Sequence, residues 1–138
     1  SSTYARLYVH LVWATKGREP WITIDVAPRL HGMIAGAASP WLRAVAIGGV
    51  EEHVHALVGL KTDVDVARLT RELKAGSSAF MHGEIGVDRF GWQEGYGAFT
   101  LRDTELDTAR RYVRDQPRHH ADGTALDDWE RSTPPRTR

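Results

Sequence analysis

The chain has 138 residues, 41% of them hydrophobic and 26% charged, a length and composition that fit one globular domain of ordinary amino-acid usage. Lys and Arg number 18 and Asp and Glu number 18, so the chain is formally neutral, and a polyanionic partner would have to be met by a local patch rather than by the whole surface. There is no cysteine, which excludes a disulfide framework, a thiol nucleophile and a cysteine-based zinc site and leaves any metal to nitrogen and oxygen ligands, among which the seven histidines stand out.

No window approaches the roughly 18 uninterrupted apolar residues of a membrane span, and the first residues lack the basic-then-apolar layout of a secretory signal. A cytoplasmic protein with no membrane partner is expected. From Leu7 to Ala14, Leu7, Val9, Leu11 and Trp13 alternate with Tyr8, His10, Val12 and Ala14, the period-two signature of a strand with one face more deeply buried. Lys16-Gly17-Arg18-Glu19-Pro20 breaks it, and from about Val26 the set Leu30, Met33, Ile34, Ala37 falls at helical spacing. Pro28 sits in that helix's first turn and Ser39-Pro40 ends it.

Trp41–Ile47 reads as a second strand, with Gly48-Gly49 and Glu51-Glu52 as turn chemistry for a hairpin into His53–Leu60. A second helix is predicted from about Asp65 to Met81, with Val66, Leu69, Leu73 and Phe80 on its apolar stripe and Asp63 or Asp65 as N-cap. Gly83–Gly97 reads as a glycine-rich connector with a short strand at Phe90–Gln93, and Ala98–Leu101 as a last strand. Asp103 can cap a final helix that runs to Gln116 and stops at Pro117. The order strand, helix, strand, strand, helix, strand, plus one helix, is that of an α+β, ferredoxin-like split βαβ antiparallel sheet. Two helices should cover one face and leave the other to function or to the last helix. The expectation is one domain over 1–138, with a core from about 4 to 120 and an irregular tail over 121–138.

His53 and His55 stand two apart on a predicted strand, so both imidazoles project to one face while Val54, Ala56, Val58 and Leu60 take the opposite, helix-covered face. That is a platform for two nitrogen ligands. The spacing alone is weak, since seven histidines in a chain of this length produce about 0.35 such pairs by chance, and two hydrogen-bonded surface histidines would look the same. On the last helix, Leu106, Ala109 and Val113 form the buried stripe, and Tyr112, about a quarter-turn aside, should be partly exposed. Gln116 lies one turn further along the same side, where its amide oxygen and the Tyr112 hydroxyl can address one point, although a tyrosine there can equally be packing. Arg110, Arg111, Arg114 and Arg118 surround Tyr112, and Arg68, Arg71 and Lys74 recur on the second helix. These are the local positive fields of a neutral chain and candidate DNA contacts, or simply solvated helix faces. Trp92, Tyr96 and Phe99 can stack on unpaired bases or pack under the connector. His119-His120 can add ligands or favour the negative end of the helix.

Taken together these residues resemble a family. His53-Val54-His55 is an HUH motif (His, bulky hydrophobe, His), and Phe90-Gly91-Trp92-Gln93-Glu94-Gly95-Tyr96-Gly97-Ala98-Phe99 looks like the Trp-Gln…Gly-Tyr-Gly-Ala-Phe segment of the single-tyrosine HUH transposases of the smallest bacterial insertion sequences. Tyr112-Val113-Arg114-Asp115-Gln116 with His119-His120 is similar to that family's Tyr-x-x-x-Gln…His-His ending, and Leu11–Arg18 to its opening, so the resemblance runs from about Tyr4 to His120. It implies a transposase that cuts and rejoins single-stranded DNA at hairpin-bearing element ends. His53, His55 and Gln116 would hold Mg²⁺ or Mn²⁺, and Tyr112 would attack a phosphodiester to leave a 5′-phosphotyrosine and a free 3′-hydroxyl. It also implies a homodimer with active sites shared between chains. The sequence departs from the family in carrying Glu51-Glu52 where an aspartate commonly precedes the first histidine, and in being neutral where relatives are usually basic. Two other readings stay open on the residues alone. One is a domesticated or non-catalytic module that binds single-stranded nucleic acid on the same sheet. The other is a small metal-dependent hydrolase in which Tyr112 only packs.

Overall fold

A computed structural model describes residues 3–39, 42–117 and 130–132, and for 42–45 the backbone alone. Pro40, Trp41, Arg118, His119, His120 and the remainder of the tail lie outside the described residues. The elements in chain order are β1 (Leu7–Ala14), α1 (Ala27–Ala38), β2 (Leu42–Val50), β3 (His53–Leu60), α2 (Val66–Phe80), β4 (Gly97–Leu101) and α3 (Leu106–Arg114). The four strands form one antiparallel sheet in the order β2-β3-β1-β4, the topology that the split βαβ order predicts. No helix among the described residues is long and apolar enough to cross a membrane.

The alternation in β1 and β3 sorts the sheet into two faces. Leu11 and Trp13 of β1 join Val54, Ala56 and Val58 of β3 beneath Leu30 and Ile34 of α1 and Leu69 and Leu73 of α2, a buried cluster that holds most of the apolar side chains. The opposite face carries a smaller cluster, Ala46, Leu57 and Leu101, roofed by Ala109 and Val113 of α3. His53 and His55 belong to this second face. Each step of the strand register fixes that assignment, because a slip by one residue would send both imidazoles into the main core.

Local chemistry sets the element ends. Asp65 caps α2, its carboxylate accepting from the Ala67 and Arg68 amides at 3.0 and 3.2 Å. The last helix starts differently from expectation: a short 3₁₀ turn over Asp103–Glu105 precedes α3, and the Glu105 carboxylate accepts from the Arg102 amide at 3.0 Å. Asp103 is left to pair with Arg6 at 3.0 Å. The hairpin between β2 and β3 turns on Glu51-Glu52, while Gly48 and Gly49 lie within β2. Gly48 is needed for a close approach: a Cβ there would stand 2.0 Å from the Val113 carbonyl oxygen, so only glycine lets α3 settle on β2 beside His55.

The connector after α2 is a strap rather than a loose loop. It begins with one π-helical turn, Met81–Ile85, ended by Gly86 at a φ of 86°. In place of a strand at Phe90–Gln93 there is a single bridge between Trp92 and Thr15. The Trp92 indole donates to Ser77 Oγ at 3.0 Å and packs edge-on against Trp13 and Phe90. Lys74 Nζ donates to the Gln93 and Gly95 carbonyls, both at 2.9 Å, and burial lowers its pKa against the pull of Glu94. Trp92 and Lys74 therefore fix the strap that leads into β4.

Candidate active site

His53 and His55 are 2% and 0% exposed, so the face they share is a roofed one. Their ring centroids lie 5.0 Å apart. Each Nδ1 faces a different neighbour. His55 Nδ1 lies 2.7 Å from Nε2 of His10, the residue of β1 that faces Leu57 across the pair and so stands diagonally next to His55 on the same face. His53 Nδ1 is 3.7 Å from the carboxylate of Glu52, which Arg18 also approaches at 3.5 Å. The carboxylate before the first histidine therefore lies beside that histidine's ring.

Both Nε2 atoms converge on one carboxylate. His53 Nε2 is 3.1 Å from Glu130 Oε1, and His55 Nε2 is 3.1 Å from Glu130 Oε2. The Tyr112 hydroxyl donates to the same Oε2 at 2.6 Å, and its ring meets His55 edge-on at 6.1 Å. Tyr112 is 4% exposed, a correction to the partly exposed position that the helical stripe implies. The stripe reports only what faces the sheet, and here Glu130 meets Tyr112 on the side of α3 beyond it.

The electrostatics follow from this packing. Burial alone would raise the Glu130 carboxyl, but the His53 and His55 imidazoles and the Tyr112 hydroxyl against its oxygens hold it well below the usual carboxylate range. It stands there as an anion. Burial first, and then the neighbouring His55, push the pKa of His10 to about 3 against the pull of Glu130, so His10 is a neutral imidazole.

Gln116 is fully buried at the end of the Tyr112 helix, and its amide nitrogen donates to the Tyr112 carbonyl at 3.3 Å. Arg110 is tied to Asp107 at 3.0 Å, while Arg68, Arg71, Arg111 and Arg114 are exposed. Residues 130–132 rest on the lead-in to β4. A Cβ on Gly97 would come within 1.9 Å of the Arg131 carbonyl oxygen, the Ser132 carbonyl lies 3.6 Å from the Cβ position of Gly95, and Ser132 is 5% exposed.

His53, His55 and Glu130 offer potential ligand atoms all within 4.8 Å of one another, and two imidazole nitrogens with a carboxylate suit a divalent transition ion. Sequence reasoning missed His10 and Glu130. His10 carried a usable signal, because it alternates onto the face of Tyr8, Val12 and Ala14, opposite the main core, on a strand that the topology sets beside β3. Glu130 carried none, lying in a stretch without periodicity.

In the chain described, His53, His55 and Tyr112 all meet the Glu130 carboxylate. A family model described as "Transposase IS200 like" matches residues 3–116. Among solved structures, the chain is similar to a protein of Deinococcus radiodurans R1 described as a candidate transposase, with 23% identity over 84% of this chain and 95% of that one and a TM-score of 0.70. It is also similar to a REP-associated tyrosine transposase solved bound to a REP hairpin, with 16% identity over 91% of this chain and 76% of that one and a TM-score of 0.62. No curated protein matches it. These likenesses agree with the four-stranded antiparallel α+β architecture, and the match over most of its length shows that the chain belongs to the IS200-like transposase family.

Proposed function

We propose that this transposase cleaves and rejoins single-stranded DNA through Tyr112, at a divalent metal site held by His53 and His55. The observation that carries the reading is the convergence on one oxyanion: a single carboxylate oxygen of Glu130 lies 2.6 Å from the Tyr112 hydroxyl and 3.1 Å from His55 Nε2, with His53 Nε2 at 3.1 Å from its twin. A phosphodiester oxygen at that point would be in reach of the nucleophile and of both ligands.

A bound Mg²⁺ or Mn²⁺ would neutralise charge on the scissile phosphate and orient it for in-line displacement. The chain's own groups do the rest. The Tyr112 hydroxyl gives up its proton as its oxygen forms the bond to phosphorus, the bond to the 3′-oxygen breaks, and the leaving oxygen takes up a proton to give a free 3′-hydroxyl, so no proton is gained or lost overall. The phosphotyrosine ester conserves the energy of the broken bond, so a second 3′-hydroxyl can reverse the step. Gln116, one turn after Tyr112, is proposed as a further oxygen ligand. Because Tyr112 lies under Glu130, a phosphodiester reaches the hydroxyl only when that carboxylate moves aside.

The substrate proposed is single-stranded DNA with hairpin ends, met in the cytoplasm. The REP-associated relative with its bound REP hairpin supports this class. The exposed Arg68, Arg71, Arg111 and Arg114 are candidate phosphate contacts. A homodimer with active sites shared between its chains belongs to the same proposal. Covalent trapping tests the reading. Incubation with hairpin-bearing single strands and Mn²⁺ should give a protein–DNA adduct that maps to Tyr112, is lost in Tyr112→Phe and is lost in protein carrying both His53→Ala and His55→Ala. An adduct on Tyr4, Tyr8 or Tyr96, or cleavage at the wild-type rate by the double histidine variant, overturns it.

A further inference from the structure

We propose that, before DNA displaces it, Glu130 of the segment 130–132 is the carboxylate ligand of the divalent ion, so that in the DNA-free protein ion binding and the docking of residues 130–132 stabilise each other. This rests on the reading of His53 and His55 as ligands and goes beyond it, because it adds a donor from outside the sheet and α3 and makes the ion a fastener for the tail.

Three observations carry it. The carboxylate presents one oxygen to each imidazole, both at 3.1 Å. Two neighbouring ligands bonded to one ion at about 2.1 Å stand roughly 3 Å apart, so each imidazole–carboxylate pair has the spacing of two ligands of a shared ion, and the three ligand atoms together lie within 4.8 Å. The donor set is also the stronger of the two on offer in charge. Two neutral imidazoles with a carboxylate give the site a net negative charge, whereas Gln116 in its place would give none, and ligand charge is a main control of divalent-ion affinity. The seat for the tail is built into the chain. Gly97 lacks the Cβ that would stand 1.9 Å from the Arg131 carbonyl oxygen, and Ser132 is buried with its carbonyl 3.6 Å from the Cβ position of Gly95. A segment merely lying on the surface needs no such gap.

Coupling of this kind is reciprocal: the factor by which docking raises ion affinity is the factor by which the ion raises docking. The test is Mn²⁺ binding to the full chain, read by the free-ion electron paramagnetic resonance signal, together with amide exchange at Arg131 and Ser132. Removing an outer-shell partner weakens metal binding by roughly 10–100-fold, and removing a direct ligand should cost at least as much. Glu130→Ala is therefore expected to weaken Mn²⁺ binding at least tenfold. Gly97→Ala, which touches no ligand, should weaken it through expulsion of the tail, and the two changes together should be no worse than the more severe one alone. Mn²⁺ should slow exchange at Arg131 and Ser132 in the wild type and not in Glu130→Ala.

Unchanged affinity in Glu130→Ala, where the His53→Ala/His55→Ala protein has lost binding, overturns this inference and leaves the histidine site standing. Wild-type affinity in the double histidine variant, or a folded wild type that binds no Mn²⁺, overturns both. Should Gly97→Ala disturb β4, Glu130→Ala alone still decides.

Discussion

His10 Nε2 and His55 Nδ1 lie 2.7 Å apart in the closed face of the sheet, and one hydrogen must sit between them. Because His10 is held neutral, it can act as acceptor for His55 Nδ1–H, which keeps Nε2, the atom that faces Glu130, turned toward the proposed ion site. In that arrangement His10 would be a positioning residue that fixes the ring orientation of a proposed ligand. His10→Phe keeps the ring volume and removes the acceptor, so Mn²⁺ affinity should fall by roughly 10–100-fold. His10→Gln restores an acceptor and should recover part of it. Equal affinities in the two variants, measured beside their thermal midpoints, would reduce His10 to packing.

Tyr112→Phe separates chemistry from stability. The hydroxyl donates to an ionised carboxylate at 2.6 Å, and a hydrogen bond to a charged group contributes roughly 1.5–3 kcal/mol, so the variant should lose up to that amount in urea unfolding as well as all covalent adduct. The buried ring stays in place against His55. A variant that is as stable as the wild type would mean that the hydroxyl bond contributes nothing net to the docked tail.

Much of this site is legible in the sequence. The period-two pattern over His53–Leu60 placed both histidines on one face because strand alternation leaves no other option, and the spacing of Leu106, Ala109 and Val113 placed the Tyr112 helix on the sheet. What stayed hidden was long-range. Glu130 reaches the histidines from 77 and 75 residues away in sequence, as the numbering of the pairs shows, and no local pattern encodes that contact. Gly48 was legible as a glycine and misread as a turn residue, since the same absence of a Cβ serves a tight turn and a helix approach.

Acid should weaken the fold in a way that His31 reports. This residue of α1 is partly buried, its Nε2 is shut off from solvent, and burial lowers its pKa below the ordinary value. The unfolded chain therefore takes up a proton that the folded chain refuses. The stability contribution is complete above about pH 6.5, the unfolded value, and is lost as the pH falls toward the folded value. His10 acts with the same sign. Replacing His31 with Gln should flatten the fall in unfolding free energy between about pH 6.5 and 5 by at most ~1.4 kcal/mol per pH unit, the limit for one proton. Parallel slopes for variant and wild type would show that His31 charges freely in the folded state.

Gly48 controls how closely Tyr112 approaches His55. The would-be Cβ lies 2.0 Å from the Val113 carbonyl oxygen and 3.2 Å from a Val113 side-chain methyl, and Gly48 faces His55 across the β2-β3 pair. The obstacle is backbone, so α3 itself must move. Gly48→Ala should lift the helix from the sheet and carry Tyr112 with it, at an overpacking cost of roughly 1–3 kcal/mol. The effect on chemistry should exceed the effect on the fold, because a misplacement of about 1 Å at a reacting group can cost on the order of 100-fold in rate. Adduct formation by folded Gly48→Ala protein, measured with hairpin single strands and Mn²⁺ under single-turnover conditions, is the check, with Gly36→Ala as control: Gly36 lies on α1 with open space around it. The control should react at the wild-type rate. If folded Gly48→Ala protein does so as well, the close seating of α3 on β2 is not what positions the nucleophile.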